Sequence, residues 1–564
     1  MRSLRRFLLL MSLVTLIGES ASGCGSGAPP GTPMEWSKEK TAAAAKWRGE
    51  RLDLDVRIEP AQGRLSINGE WVLRLEDGTS QGPAVYVNSR TAALAFEGAE
   101  GPAGSDVSLN RIVPEHPSAR FAVVTLPREA QRDDSVTLKF ACRKYRDCFQ
   151  VIVRKNIALA SWIESWYPSP PPDSANGQSR QMSATGRTRF HVPRDWDVVS
   201  NGKLIGRKVT EAGAIVEWQV DPGVARSFVA GPYQSLRHSV GGRDVGVYLL
   251  HKRSGAAREQ AETLAKALAA MERRMGPYPY PSYAIAEVPR RAVKWYASSE
   301  QGFIMARSDA FEYGANLPLF AHEMAHGWWG NLVNSEGPGS DLCSESMAQY
   351  CAVLAIEAIE GREKATEFLR FSRRGYSKKQ CARGYFDMLR HGKDAPLSKL
   401  DEQPFAHQLS DAKGHWVYHM LRTRVGDEVF FGVLRGLIRD FAGRTMTLDD
   451  VRRAFVASAP KEAELERFFS DWLDRQGAPV IDSKWTTTSD GGVEVVLTQA
   501  QKSAPYALDV DVAITDEHGE SRHAVKLRDR TTRWRFTPSG KVTNVRIDPD
   551  HRLLIWDPAY GPRP

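Results

Sequence analysis

The chain has 564 residues, of which 42% are hydrophobic and 26% charged, and its formal net charge is +8. This length exceeds what one hydrophobic core can organise, so we expect several domains. The balanced composition excludes disordered and fibrous proteins. The basic residues are scattered and no nucleic-acid-binding motif occurs, so we expect no nucleic-acid partner.

The start of the chain has the features of an export signal. Three arginines within the first six residues precede a short apolar run over 7–17, which predicts a signal peptide over 1–23. Small residues then lead into Cys24, as at a bacterial lipoprotein cleavage site, and 24–48 is a predicted flexible linker. We therefore expect an exported protein, periplasmic or extracellular, that meets a membrane only through a lipid on Cys24. Plain secretion is the alternative.

Residues 49–235 are predicted to form an N-terminal β domain. Apolar and polar residues alternate as in half-buried strands, and the clearest segments are 52–58, 69–75, 121–126 and 214–220. Asn68-Gly69 and Asn201-Gly202 are turn signals that would separate strands. We expect a large antiparallel sheet domain, either a saddle or a sandwich.

Six cysteines are present. Cys142 and Cys148 flank a short polar segment after an alternating strand, which predicts a local disulfide in an oxidising compartment. Apart from Cys24, the others are Cys343, Cys351 and Cys381, an odd number, so at least one is expected as a buried thiol. Since no Cys-x-x-Cys spacing occurs, a cysteine-based zinc site is disfavoured.

Residues 236–476 alternate between strands and helices. A strand over 245–250 precedes a helix over 256–275, which Gly276-Pro277 ends. A buried strand over 283–288 and an edge strand with a loop over 295–307 follow. Amphipathic helices are then predicted, first around residue 322 and next over 341–360, 414–441 and 448–475.

Strands return in the last part of the chain. After Gly477 the pattern is one of short alternating segments, over 493–499, 506–515, 532–537 and 542–548. This pattern predicts a small β-sandwich over 477–564. The predicted fold class is therefore multidomain α+β, in the order β domain, α/β domain and β-sandwich.

The segment around residue 322 carries the clearest chemical signal. His322 and His326 lie four residues apart, so a helix projects both imidazoles from one face, with Glu323 between them. In zinc hydrolases the two histidines of such a motif bind the ion and the glutamate acts as general base. Glu345 lies 19 residues after His326 and is placed to supply a third ligand from the next helix. A solvated surface pair is the alternative, but the flanking residues are apolar.

Taken together, these features resemble the gluzincin zinc aminopeptidases, the family that contains alanyl aminopeptidases and leukotriene hydrolase. The resemblance covers nearly all of the chain after the linker, in a short form without the helical C-terminal domain of larger members. It implies a β-saddle, a thermolysin-like catalytic domain and a β-sandwich. It also implies one Zn²⁺ per chain held by His322, His326 and Glu345, peptide substrates, and removal of N-terminal residues.

Two departures concern residues near the substrate and the metal. The family's Gly-Ala-Met-Glu-Asn motif, which binds the substrate amine, aligns with Ala-Ser-Ser-Glu-Gln here, and Glu300 keeps the carboxylate. The family's Asn-Glu-Gly around the third ligand is Ser-Glu-Ser, which keeps Glu345.

A third departure affects the reaction itself. The family's tyrosine, which donates a hydrogen bond to the developing oxyanion, aligns with Asp411. An ionised carboxylate cannot donate and would repel the oxyanion. Tyr418, one turn further along, is expected in the core.

The sequence therefore favours a zinc metallopeptidase of the aminopeptidase type, with Glu323 as general base. An exported, non-catalytic zinc- and peptide-binding protein of the same fold is the alternative, and Asp411 is the feature that favours it. A small-molecule hydrolase such as an epoxide hydrolase has only family analogy behind it.

Overall fold

The protein is described by a computed structural model. The described residues are 47–80, 82–88, 93–100, 108–116, 119–126, 128–143, 150–162, 166–168, 184–240, 243–250, 254–373, 378–458 and 462–564. The predicted signal peptide and Cys24 lie outside them. The chain forms two compact units, the first from 1–262 with 280–315 and the second from 263–279 with 316–564. Among the described residues, no helix combines the length and the apolar character needed to cross a membrane.

The first unit begins with fourteen described strands. In chain order β1 to β14 are Trp47–Glu59, Arg64–Leu75, Ala84–Asn88, Ala93–Glu100, Ser108–His116, Ala119–Thr125, Ser135–Arg143, Val151–Arg154, Ile157–Ala160, Gly186–Val192, Asp197–Ser200, Lys203–Thr210, Gly213–Val220 and Phe228–Gly231. They form a seven-stranded sheet in the order β12-β13-β10-β1-β2-β7-β4, a four-stranded sheet β11-β14-β9-β8 and a three-stranded sheet β3-β6-β5. Most neighbours are antiparallel, but β1 and β10 are parallel.

The alternation in the sequence is the reason for the large sheet. In β1 every second residue from Leu52 to Ile58 is buried, and the intervening residues are exposed or half-buried. The turn expected at Asn68-Gly69 is wrong, because β2 runs straight through both residues and the turn lies at 60–63. Gly69 serves packing instead, since a Cβ there would overlap the ring of Phe140. The turn expected at Asn201-Gly202 is confirmed, between β11 and β12.

A five-stranded mixed sheet completes the first unit. Its strands β15 to β19 are Gln234–Val240, Arg243–Leu249, Ser282–Val288, Ala297–Glu300 and Phe303–Arg307, in the order β15-β16-β17-β19-β18. Side chains of β17 and β19 pack against the four-stranded sheet in one apolar cluster. Strand β18 lies at the edge of this sheet and ends at Glu300.

The predicted helices are present, and the longer segments predicted after residue 400 are divided into shorter helices. In chain order α1 to α10 are Ser254–Met275, Leu317–Ala325, Met347–Glu360, Arg362–Phe371, Ala382–Arg390, Ala406–Leu409, His415–Val425, Asp427–Phe441, Leu448–Ala457 and Glu462–Leu473. The predicted segment 414–441 divides at Gly426, which takes a φ of +82°, a value that glycine adopts without strain. Two π-helical turns, Leu342–Ser346 and Ser410–Gly414, lead into α3 and α7.

The last strands form two small sheets. Strands β22 to β27 are Ile481–Thr487, Val493–Gln499, Leu508–Asp516, Gly519–Leu527, Thr531–Phe536 and Val542–Ile547, after the two-residue pair β20 (Asn334–Ser335) and β21 (Thr445–Met446). The sheets are β22-β23-β26 and β25-β24-β27. The multidomain α+β fold class is thus confirmed, whereas the domain boundaries proposed from the sequence stay predictions.

Candidate metal centre

Helix α2 carries His322 and His326 into the interior of the second unit. The side chain of Asn316 caps its start by accepting a hydrogen bond from the backbone N–H of Leu319. Every residue of the helix is buried. The chain leaves α2 through Gly327, where a Cβ would overlap the ring of Tyr278. The apolar residues around the motif therefore place the histidines in the core, as the sequence predicts.

Hydrogen bonds fix the orientation of both imidazoles. His322 Nδ1 lies 2.9 Å from Gln349 Oε1, and His326 Nδ1 lies 2.9 Å from the backbone oxygen of Trp329. Since both partners are acceptors, the neutral form of each imidazole carries its proton on Nδ1 and leaves the lone pair of Nε2 for a metal ion. Second partners of this kind hold metal-binding histidines in the required tautomer.

Glu345 completes the group from the π-helical turn before α3. Its Oε2 lies 3.5 Å from His322 Nε2 and 3.6 Å from His326 Nε2, and the two Nε2 atoms are 3.2 Å apart. Tetrahedral zinc with ligands at about 2.0–2.2 Å requires ligand separations of about 3.3–3.6 Å. The three donor atoms are therefore spaced as the ligands of a zinc ion would be. Among the described residues, these three side chains form one of the groups that could hold a metal ion.

The charges of the group are strongly coupled. Burial raises the pKa of Glu345, but the imidazoles of His326 and His322 outweigh it and hold that pKa well below its usual range. Burial lowers the pKa of His326, but the Glu345 carboxylate outweighs it and raises that pKa to about 9. The Glu345 carboxylate is therefore stabilised in its ionised form by neighbouring positive charge. A bound metal cation would supply such a charge.

Glu323 lies where the motif requires a general base. It follows His322 in α2 and is completely buried. Residues 322, 323 and 326 occupy neighbouring positions on one side of a helix. The Glu323 side chain is therefore buried on the same side of α2 as the two imidazoles.

Glu300 lies in the first unit and is also completely buried. Its Oε2 accepts hydrogen bonds from Ser227 Oγ at 2.7 Å and Ser161 Oγ at 3.2 Å, and its Oε1 accepts one from Ser298 Oγ at 3.2 Å. Three hydroxyl donors stabilise the ionised form of this carboxylate. Two of the serines come from the N-terminal β-strand region, a contribution that the motif around Glu300 did not indicate.

Asp411 lies in the π-helical turn before α7 and is 1% exposed. Its Oδ2 accepts a hydrogen bond from Gln380 Nε2 at 2.5 Å and lies 3.4 Å from His407 Nε2. Burial raises the pKa of Asp411, an effect larger than the opposing one of His407. The sequence predicts Asp411 at the position of the family's oxyanion donor, but it does not indicate His407 or Gln380.

His407 connects Asp411 with the metal group. Its Nδ1 lies 3.8 Å from Glu345 Oε2. Burial lowers the pKa of His407, but Asp411 and Glu345 outweigh it and the pKa is raised. The only sequence signal for His407 is its spacing of four residues from Asp411 within a helical segment, which many surface pairs share.

The remaining predicted residues are easily placed. Tyr418 is buried and its hydroxyl donates to the backbone oxygen of Leu342 at 2.8 Å, as expected of a core residue. Cys142 is buried in β7, and its predicted partner Cys148 lies outside the described residues. Among the last three cysteines, Cys351 and Cys381 are buried thiols, and burial raises their pKa values to about 12 and about 11.

Comparison with known proteins gives the same family as the motif. Residues 260–472 match the peptidase family M1 domain. Aminopeptidase M1 of Arabidopsis thaliana is 25% identical over 328 residues, which cover 55% of this chain and 36% of that protein. Aminopeptidase N of Streptomyces lividans is 24% identical over 344 residues, which cover 56% of this chain and 38% of that protein.

A solved structure is similar over a larger part of the chain. Legionella pneumophila aminopeptidase A in complex with aspartic acid aligns with a TM-score of 0.62 at 14% sequence identity, over 90% of this chain and 59% of that chain. This likeness concerns the fold alone. The resemblance to the gluzincin aminopeptidases is confirmed by the match of residues 260–472 to the peptidase family M1 domain. The matched segments span little more than a third of the length of the curated relatives.

Proposed function

We propose that this chain is a zinc metallopeptidase of the aminopeptidase type, with peptides as its substrates. The observation that carries the proposal is the convergence of His322 Nε2, His326 Nε2 and Glu345 Oε2 at separations of 3.2, 3.5 and 3.6 Å. These separations and this donor set suit Zn²⁺ with three protein ligands and one open position. The M1 domain match supports the same assignment.

The bound zinc would supply Lewis acidity, by lowering the pKa of a water molecule and polarising the scissile carbonyl. The chain supplies the proton transfer. Glu323 takes the proton of the attacking water on its carboxylate and passes it to the leaving amine. Gln349 and the Trp329 carbonyl keep both imidazoles oriented while this happens.

Recognition of a free N-terminus is assigned to Glu300. Its three serine donors favour a negative charge, which is what pairing with a substrate ammonium requires. A charged anchor for the amine would restrict cleavage to the first residue of a peptide and so make the enzyme an exopeptidase.

The test is the substitution Glu323→Gln in the full chain, with zinc content and release from aminoacyl-amides measured together. We expect kcat to fall by about 10²–10⁴-fold with zinc content unchanged, because only the proton acceptor is removed. Glu336→Gln, which changes an exposed glutamate nearby, is the matched control. Wild-type turnover that survives Glu323→Gln would refute the general-base assignment.

Asp411 supports one alternative, a non-catalytic zinc- and peptide-binding protein. Losing one oxyanion donor typically costs about 10²–10³-fold in rate. Stoichiometric zinc with no turnover of any aminoacyl-amide would favour this alternative over the peptidase.

Export and lipidation at Cys24 are part of the proposal and rest on the sequence of the first 24 residues. Labelling of the wild-type protein with a radioactive fatty acid, lost in Cys24→Ser, is the expected result. Unlabelled wild-type protein in the culture medium would indicate plain secretion.

A further inference from the structure

Glu345 faces two groups of side chains, and only one of them is the group assigned above. Its Oε2 lies 3.5 and 3.6 Å from the Nε2 atoms of His322 and His326, and also 3.8 Å from His407 Nδ1. The other nitrogen of His407 lies 3.4 Å from Asp411 Oδ2. Glu345, His407 and Asp411 each offer a ligand atom within 4.8 Å of the others.

Direct contact between the two π-helical turns produces this second group. Ser346 Oγ and Ser410 Oγ lie 2.7 Å apart. Gly414 allows the close approach, because a Cβ there would overlap the side chain of Ser346. Single π-helical turns within helices are often found at functional sites, where they redirect a side chain. Here each turn presents one carboxylate, Glu345 from the first and Asp411 from the second.

The second group contains two buried carboxylates and little positive charge to balance them. Asp411 is 1% exposed and Glu345 is 4% exposed. Among the described residues, neither carboxylate forms an ion pair with a lysine or arginine, and Lys413 pairs with Asp394 instead. Two buried carboxylates that share neighbouring imidazoles are costly unless a further positive charge balances them.

The second group also contains a carboxylate oxygen that accepts no hydrogen bond from the described residues. Within the described part of the chain, Asp411 Oδ1 is buried and has no hydrogen-bond partner. Gln380 donates to Asp411 Oδ2 and leaves the other oxygen unused. Buried oxygens of this kind are normally bonded to a donor or bound to a metal ion.

We propose that Glu345, His407 and Asp411 form a second divalent-cation site, which shares Glu345 with the His322 and His326 group. One imidazole and two carboxylates are ligands that Zn²⁺ accepts. A shared carboxylate holds two ions about 3.5–4 Å apart, as in two-metal hydrolase sites.

The second site gives Asp411 a positive role, which rests on the proposed function. A carboxylate cannot replace the tyrosine hydroxyl as a donor, but it can hold a cation. A cation held there would stabilise developing negative charge, as the missing donor would.

The experiment is a zinc titration of the full chain after removal of metals with a chelator. Zinc per chain is measured by mass spectrometry after gel filtration, and X-ray absorption spectroscopy detects zinc–zinc scattering. We expect two zinc ions per wild-type chain, with a zinc–zinc distance of about 3.5–4 Å. Asp411→Asn and His407→Ala should each retain one zinc and lose the zinc–zinc signal.

A matched control exists on the surface. Asp387 and His391 have the same spacing of four residues and lie 3.8 Å apart, but both are exposed. Asp387→Asn should therefore retain two zinc ions. If Asp411→Asn does not fold, as judged by circular dichroism, His407→Ala decides, because the side chain of His407 is 25% exposed.

One zinc ion per wild-type chain at saturation would overturn the inference, and so would two ions that persist in both variants. Aminoacyl-amide turnover is recorded in parallel and separates the two proposals. Two zinc ions without turnover would overturn the proposed function and leave the second site. Turnover with one zinc ion per chain would support the proposed function and overturn the second site.

Discussion

Glu300 and Asp411 are both fully buried carboxylates, but their surroundings differ. Glu300, in the first unit, accepts hydrogen bonds from three serine hydroxyls. Asp411, in the second unit, receives one hydrogen bond, from Gln380, and its Oδ1 has no hydrogen-bond partner among the described residues. Three neutral hydroxyl donors compensate for burial of the first carboxylate, whereas the second has one such donor and an oxygen that a cation would satisfy.

The largest expected effect on stability concerns a third buried carboxylate, Asp548, which extends the comparison. It accepts hydrogen bonds from the backbone N–H groups of Arg552 and Leu553, yet burial raises its pKa to about 6. Because this pKa exceeds the unfolded value of 3.8, the native state loses stability as the pH rises from about 4 through about 6. The loss should reach about 3 kcal/mol above that range, since one pKa unit corresponds to about 1.4 kcal/mol.

Urea unfolding of the wild type and Asp548→Asn between pH 4 and pH 7 measures this loss. As the pH rises, the free energy of unfolding of the wild type should fall relative to that of the Asp548→Asn variant. A difference that is independent of pH would show that the two backbone donors compensate for burial of Asp548, as the serines do for Glu300.

The next effect is on activity and concerns Glu300. Glu300→Gln should lower kcat/KM for aminoacyl-amides by about 10–100-fold, because a charge-assisted hydrogen bond worth about 1.5–3 kcal/mol is lost. The fall should appear mainly in KM and should be absent for an N-acetylated substrate, if one is cleaved. An equal fall for both substrates would mean that Glu300 has a structural role only.

In the metal-free protein, substitutions at Glu300 and Asp411 should change the free energy of unfolding in opposite directions. Glu300→Gln should lower the free energy of unfolding by about 1–3 kcal/mol, because an amide group faces hydroxyls that donate to a carboxylate. Asp411→Asn should raise it at pH 7, because the raised pKa of Asp411 means that its ionised form is disfavoured in the folded state. Chemical unfolding after chelation measures both, and two changes of the same sign would contradict the comparison.

The smallest expected effect tests one of the serine donors to Glu300. Ser227 donates to Glu300 at 2.7 Å and also accepts from the backbone N–H of Trp162 at 2.9 Å. Ser227→Ala should cost about 1 kcal/mol, since the half-buried backbone N–H of Trp162 loses its partner while Glu300 keeps its two other serine donors. Ser235→Ala, at an exposed serine bonded to Asp197, should change stability by less than about 0.5 kcal/mol. Thermal unfolding followed by circular dichroism is sufficient, and equal shifts would mean that the donors to Glu300 contribute little.

Much of the candidate metal centre in the second unit could be predicted from local sequence. The spacing of His322, Glu323 and His326 is a property of one helix turn, and helix geometry alone places them together. The apolar residues around them determine burial in the same way. Glu345 was predicted from its spacing of 19 residues after His326, but its approach to the histidines depends on how α3 and the preceding π-helical turn pack against α2.

The surroundings of Glu300 and Asp411 could not be predicted in this way. Ser161 and Ser227 are 139 and 73 residues from Glu300 in sequence, and Gln380 is 31 residues from Asp411. No periodicity of a strand or helix links residues so far apart.

The sequence by itself determined the alternating strands, the helical second half and the His-Glu-x-x-His helix, because each depends on residues within one element. Only the tertiary structure decided that Asn68-Gly69 lies inside a strand, that His407 stands between Asp411 and Glu345, and that three serines surround Glu300. The physical reason is the same in each case. Local periodicity fixes which face of an element is buried, whereas packing between distant elements fixes which polar groups meet there.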